Sequence, residues 1–169
     1  NSKSLSFISN GQLYTADLNI NLSTYTADLK NMYSIPNFQN VDIICSKFDQ
    51  NVFAFSTYDK NVYISYPKPT DNNDDADYDD IKNTNKRVIT KLFNAGSNVV
   101  FMDFIDNGNS LLVIDQEGKF TVHNFIFNSN YNLLLPDTKT ILSSFYDSFS
   151  RRLVFLNPSY QVKCVNFVS

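Results

Sequence analysis

One short hairpin is written four times along the chain, and this repetition limits the fold more than any single residue does. The copies are Asn10-Gly11-Gln12-Leu13-Tyr14, Asp59-Lys60-Asn61-Val62-Tyr63, Glu117-Gly118-Lys119-Phe120-Thr121 and Ser159-Tyr160-Gln161-Val162-Lys163. Each is a turn followed by a strand with an apolar residue at the same place. Three copies also have a matching first half, an apolar strand running into a polar turn: Ile43 to Phe48, Val99 to Phe104 and Thr140 to Phe145. The equivalent turn positions Gly11, Lys60, Gly118 and Tyr160 are 49, 58 and 42 residues apart. Removing about fifteen inserted residues from the longest interval leaves a period of roughly 40 to 45, which suits one four-stranded sheet per repeat.

The segments between the turns alternate apolar and polar residues, the period of a half-buried strand, and are rich in Val, Ile, Phe, Tyr and Thr. This predicts strands over 4–9, 12–18, 23–29, 42–48, 52–57, 61–66, 86–93, 99–104, 110–115, 119–126, 131–135, 140–145, 151–157 and 161–168. No segment has the period of a long amphipathic helix. The intervening turns, such as Ser9-Asn10-Gly11 and Gln116-Glu117-Gly118, use residues that tolerate positive φ and close tight hairpins between antiparallel neighbours. With only four glycines in the chain, asparagine supplies much of that tolerance.

Composition enters where it excludes. Fifteen Phe and ten Tyr in 169 residues, with 43% hydrophobic residues, place the chain outside the disordered class, whose few apolar groups cannot offset chain entropy. No apolar run approaches the roughly 20 residues of a membrane-crossing helix. The N-terminal residues lack the charged and apolar regions of a signal peptide. The formal net charge of −3 is mostly one segment, because Asp71 to Asp80 contains six Asp and no base. Without it, 14 Lys and Arg stand against 11 acids, a balance of +3, and no broad basic face points to nucleic acid. Residues 67–85 read as an exposed, mobile acidic insertion in a single domain that otherwise spans 1–169. Cys45 and Cys164 lie in separate apolar segments and read as buried reduced thiols. The single glycosylation sequon, Asn21-Leu22-Ser23, fits an intracellular, nuclear or cytoplasmic chain.

The register of the four hairpins resembles that of the WD40-like β-propeller family. The likeness is clearest in Ser56-Thr57-Tyr58-Asp59-Lys60-Asn61-Val62-Tyr63-Ile64-Ser65-Tyr66, which follows the family's Ser-x-x-Asp-Gly-x-Val-x-x-Trp-Asp rhythm. The motifs are degenerate: Ala16, Ser65, His123 and Val165 stand where the family has Trp, and the chain has no Trp. Only Asp17 survives at the Asp position that follows, against Tyr66, Asn124 and Asn166. The resemblance implies an all-β fold of four-stranded antiparallel blades, about three and a half of them. It also implies completion of the propeller by polypeptide outside these residues. A two-layer sandwich is the competing arrangement.

Chemistry-bearing constellations are sparse. His123 is the sole histidine and reads as a filler of the vacated Trp slot, so no His cluster is offered to zinc. The acidic segment lacks the Gly and terminal Glu of a calcium loop. Nothing calls for a cofactor, a metal or a catalytic residue. The expected role is a non-catalytic scaffold whose partners are other protein subunits, one of which completes the propeller. Its contact turns would be Asp59-Lys60, Gln116-Glu117 and Pro158-Ser159-Tyr160, with Tyr160 as aromatic anchor. The alternative is a phosphoinositide- or nucleic-acid-binding propeller using Lys86, Arg87, Arg151 and Arg152.

Overall fold

The alternating segments condense into strands in the order expected of hairpins. The structure is a computed structural model and describes residues 2–36, 38–47, 51–69 and 87–167. Among these residues fourteen strands form four sheets. The first sheet contains β1 (Ser2–Ser9), β2 (Gln12–Asn21) and β3 (Thr26–Ser34). The second contains β4 (Val41–Ser46), β5 (Phe53–Thr57), β6 (Asn61–Pro67) and β7 (Arg87–Asn94). The third contains β8 (Val99–Ile105), β9 (Ser110–Asp115), β10 (Lys119–Asn124) and β11 (Ser129–Leu134). The fourth contains β12 (Ser143–Asp147), β13 (Arg152–Leu156) and β14 (Val162–Asn166). Strands follow one another across each sheet in chain order, as short connections require. The predicted acidic insertion lies, from residue 70 on, outside the described residues.

The four repeated turns share one backbone geometry. Gly11, Lys60, Gly118 and Tyr160 have φ of 72°, 72°, 81° and 60°. Three of the four take the left-handed conformation that glycine, or a residue under turn constraint, adopts at the corner of a hairpin; Gly118 sits in the same positive-φ region. The residue two places on points into a core in three copies: Leu13, Val62 and Phe120 are fully buried.

Two details depart from the sequence reading. The third strand begins at Thr26 rather than residue 23, because the Asn21 side-chain oxygen accepts the N–H groups of Ser23 and Thr24 and holds a turn through Tyr25. The first halves of the repeats also align differently. The ladder between β4 and β5 shifts register between Val41 and Ile43, and that between β8 and β9 shifts between Val99 and Phe101. These matching bulges pair Val41 with Val99, and Thr140 falls in the connection before β12 rather than in the strand.

The chain divides into two compact units, residues 1–57 with 63–91, and 58–62 with 92–169. In the first, Leu13, Ile35, Val41, Phe53 and Phe55 form the core. Phe38 meets the rings of Phe55 and Tyr63 edge-on at 5.1 and 4.9 Å, and Phe55 stacks on Tyr63 at 5.1 Å. In the second, Ile105, Leu112, Ile114, Phe120, Val122, Ile141, Leu153 and Phe155 close the space between the third and fourth sheets. Each such side chain contributes on the order of 2 kcal/mol by leaving water. No helix among the described residues is long and apolar enough to cross a membrane.

Candidate interaction rim

The three turns proposed for partner contact all belong to the second unit, and they lie at the same end of their sheets because each joins the same pair of strands within its repeat. The first two are tied to the connections between sheets, whereas the third is closed by its own bonds, Tyr160 N–H to the Asn157 carbonyl and Asn157 N–H to the Gln161 carbonyl, both at 3.0 Å. The Ala95 N–H donates to the Lys60 carbonyl (2.8 Å), and the Asn94 side-chain amide donates to the Asp59 carbonyl (3.0 Å) and to Asn61 Oδ1 (2.9 Å). Lys119 Nζ reaches back to the Ala95 carbonyl at 2.6 Å. Gln116 N–H donates to the Asn98 carbonyl (2.8 Å), and Thr140 N–H donates to the Gln116 carbonyl (2.9 Å). Thr138, itself buried, donates its hydroxyl to the Gly118 carbonyl at 2.8 Å. Turn, connection, turn and connection thus form one hydrogen-bonded band along that end of the unit.

Within the turns, polar side chains are occupied differently. Asp59 accepts from the Asn61 side chain at 2.9 Å. Glu117 pairs with Lys139 at 3.2 Å in an exposed ion pair, which adds less than about 1 kcal/mol because water screens it. Asp115 Oδ1 accepts the N–H groups of Glu117 and Lys119, and Asn157 Oδ1 accepts those of Ser159 and Gln161. Pro158 and Ser159 are exposed, and the Tyr160 ring is 80% exposed. Tyr58, beside Asp59 in the same band, is 63% exposed and was not singled out by sequence reasoning. Its place directly before a turn, in a segment otherwise buried from Phe53 to Thr57, was the available signal.

The basic residues of the alternative reading fall in different units of the chain. Lys86 lies outside the described residues. Arg87, in the first unit, is turned inward: Nε donates to Ser65 Oγ (2.8 Å), Nη1 to Asn51 Oδ1 (3.0 Å), and Nη2 to the carbonyls of Asn51 (2.6 Å) and Ser65 (3.2 Å). Its guanidinium also lies over the Phe53 ring, 4.4 Å from the centroid. Burial lowers its pKa from the ordinary arginine value, opposed by a hydrogen bond and charge interaction with Tyr33. Arg151 and Arg152 are exposed in the second unit at the turn between β12 and β13, where Arg152 pairs across the ladder with Asp147.

Ser65 and His123 are engaged in distinct ways. Ser65 binds Arg87 as described. His123 is buried, its Nδ1 shares a short hydrogen bond with Asn130 Oδ1, and its ring lies 6.3 Å from that of Phe93 and 5.0 Å from that of Phe125. The histidine ring is thus part of the packing of the second unit. The cysteines depart from expectation: Cys45 is half-buried and Cys164 is exposed, because alternate residues of β14 point away from the core of the second unit. Among the described residues, no three His, Cys, Asp or Glu side chains stand where they could hold a metal ion.

No protein-family model matches the chain, and no curated protein matches its sequence. Solved structures do resemble it. A chain of the nidogen/laminin complex superposes with a TM-score of 0.58 at 12% identity, over 93% of this chain and 57% of that one. The tricorn protease superposes with a TM-score of 0.55 at 13% identity, over 89% of this chain and 12% of that one. A chain of the S. cerevisiae complex of Dbp5 with Nup159, Gle1, IP6 and ADP gives 0.58 at 12%, over 98% and 38%. This chain therefore spans little more than half of those chains at most. At such identities the likeness concerns architecture alone, and with the four sheets it establishes an all-β, β-propeller-like fold built from antiparallel blades.

Proposed function

We propose that the chain is a non-catalytic interaction module, a degenerate WD40-like propeller segment serving a multisubunit assembly inside the cell, nuclear or cytoplasmic. One observation supports this most directly. Along the rim of the second unit the Asp59-Lys60 and Gln116-Glu117 turns are tied to neighbouring connections and the Pro158-Ser159-Tyr160 turn is closed by its own hydrogen bonds, while the rings of Tyr58 and Tyr160 are left in water. Rigid, amphipathic tyrosines on a braced backbone lose little entropy when a partner covers them, which suits them as contact anchors. The partners in this reading are other protein subunits, contacted through Asp59, Lys60, Gln116, Glu117, Pro158, Ser159 and Tyr160, with Tyr58 added.

Affinity capture from a cell extract tests it, comparing the native chain with a Tyr58→Ser/Tyr160→Ser variant. The native chain should retain a defined set of proteins that the variant loses. An unchanged set, or none, overturns the reading. Flotation with phosphoinositide vesicles, and binding to nucleic acid, examine the alternative. With Arg87 engaged internally, that alternative rests on Lys86, Arg151 and Arg152, and it requires salt-sensitive binding that disappears in a Lys86→Ala/Arg151→Ala/Arg152→Ala variant.

A further inference from the structure

The repeat shows what covers a blade face, and among the described residues the first and fourth sheets each carry a face without such a cover. In the second unit, Leu112 and Ile114 of β9 and Phe120 and Val122 of β10 are fully buried against Leu153 and Phe155 of the fourth sheet. Counting from the equivalent turn residues Gly118 and Tyr160, these four positions correspond to Val154, Leu156, Val162 and Cys164. The ladder places them together with Phe145 on one face of the fourth sheet: Phe145 opposes Val154, Val154 opposes Cys164, and Leu156 opposes Val162. That face looks away from the core. Val162 is 72% exposed and Phe145 59%.

The first sheet shows the opposite half of the same contact. Its Leu13 face is buried against Phe53 and Phe55. The other face holds Leu5, Phe7, Tyr14, Leu18, Ile20 and Leu29, with Phe7 opposite Tyr14 and Leu18 opposite Leu29. Phe7 and Tyr14 stack at 5.4 Å with an interplanar angle of 14°. Phe55 and Tyr63 stack at 5.1 Å and 17°, with Tyr63, like Tyr14, three residues after the repeat's turn position. The Phe55–Tyr63 pair is packed inside the first unit's core, whereas around Phe7 and Tyr14 the side chains of Leu5, Ile20 and Leu29 are exposed, Leu29 by 49%.

Within each unit, then, an apolar face of one sheet (Leu13 in the first unit; Leu112, Ile114, Phe120 and Val122 in the second) packs on large apolar residues at alternate positions of the next sheet (Phe53 and Phe55; Leu153 and Phe155). The fourth sheet leaves a face of the first kind free, and the first sheet leaves one of the second kind. We propose that two copies of this chain associate head to tail, the free face of the fourth sheet in one copy docking on the free face of the first sheet in the next. Soluble proteins avoid leaving contiguous apolar patches of this kind in water, and each copy already contains the matching half. The contact is heterologous, so it either closes or extends into longer series. It is independent of the rim contacts proposed above.

Size-exclusion chromatography with light scattering, run over a concentration series on the 169-residue chain, tests the inference. The native chain should give a mass of two copies or more. Val162→Asp and Leu29→Asp should each reduce it to one copy, with circular dichroism confirming retained strand content. Mixing the two variants should restore a two-copy species, since one keeps an intact first-sheet face and the other an intact fourth-sheet face. Phe145→Ser and Leu5→Ser provide a gentler second pair if either Asp variant unfolds. A single-copy native chain at every concentration overturns the proposal. So does association abolished by one substitution only, or a mixture that stays single. Such a failure leaves the rim reading untouched, because that is read by capture and this by mass.

Discussion

Asp115 and Asn157 hold the same position in successive hairpins and do the same work. Asp115 Oδ1 accepts the N–H groups of Glu117 and Lys119 at 3.0 and 2.9 Å, and Asn157 Oδ1 accepts those of Ser159 and Gln161 at 3.1 and 2.9 Å. Both residues are buried. What the turn needs is therefore an acceptor oxygen on a short stem, not a charge. Asp115→Ala should destabilise the chain by about 1–2 kcal/mol, the cost of leaving two partly buried turn donors unmet. Asp115→Asn should stay near the native value. Urea unfolding midpoints decide between them, and an Asn variant as damaged as the Ala variant would show that charge matters after all.

The turn corners make a second contrast. A Cβ added to Gly118 would lie 2.6 Å from Thr138 Oγ1 and 2.7 Å from the Lys139 backbone nitrogen, at a φ of 81°. Gly118→Ala should cost roughly 2–4 kcal/mol, since positive-φ strain and collision with buried backbone add. Tyr160 occupies the equivalent corner with its side chain in solvent, so Tyr160→Gly should stabilise by up to ~1 kcal/mol through relief of that strain. Thermal unfolding reads both, and the same Tyr160 variant should lose partner capture while gaining stability.

Much of this architecture is legible in the residues themselves. All fourteen strands and the four hairpin corners follow from alternation and turn chemistry, because those signals are local. The misaligned first halves show the limit. Ile43 to Phe48 and Val99 to Phe104 match as text, but a bulge after Val41 and another after Val99 set the true register, and a bulge has no residue signature here. Arg87 shows another limit. Beside Lys86 it reads as a surface base, yet the buried Ser65 on the neighbouring strand accepts its guanidinium through both hydroxyl and carbonyl. Cys164 reads as buried because β14 alternates, but which alternate face meets the core depends on a neighbouring sheet that the local pattern does not reveal. Of the candidate rim, the turns are legible and Tyr58 is not.

Arg87 yields a prediction of its own. Its forked donors serve Asn51 and Ser65 at once while the plane covers Phe53. Lysine carries charge but neither the fork nor the flat face. Arg87→Lys should therefore lose about 1–2 kcal/mol of stability, as the buried Ser65 loses its donors, with no change in binding to anionic vesicles. Denaturant unfolding checks the first part and flotation the second. A lysine variant of native stability that fails to bind vesicles would return Arg87 to the surface reading.

Two aspartates should shape the acid response of the fold in opposite senses. Burial raises the Asp103 pKa above its ordinary value, opposed by the Phe104 N–H that its carboxylate accepts at 2.8 Å. Its contribution to stability is thus fully present below the unfolded carboxylate range, near ~3.9, and is lost as pH rises through the higher folded value. Asp147 is lowered by hydrogen bonds from the Ser150 hydroxyl and the Phe149 N–H. Its contribution is present above that same range and is lost as pH falls through the lower folded value. Asp103→Asn should flatten the decline in stability on the neutral side of the carboxylate range. Asp147→Asn should flatten the decline on its acid side. Urea midpoints measured at a series of pH values for both variants resolve the two, and a native-like slope in Asp103→Asn on the neutral side would show that its burial does not govern the titration.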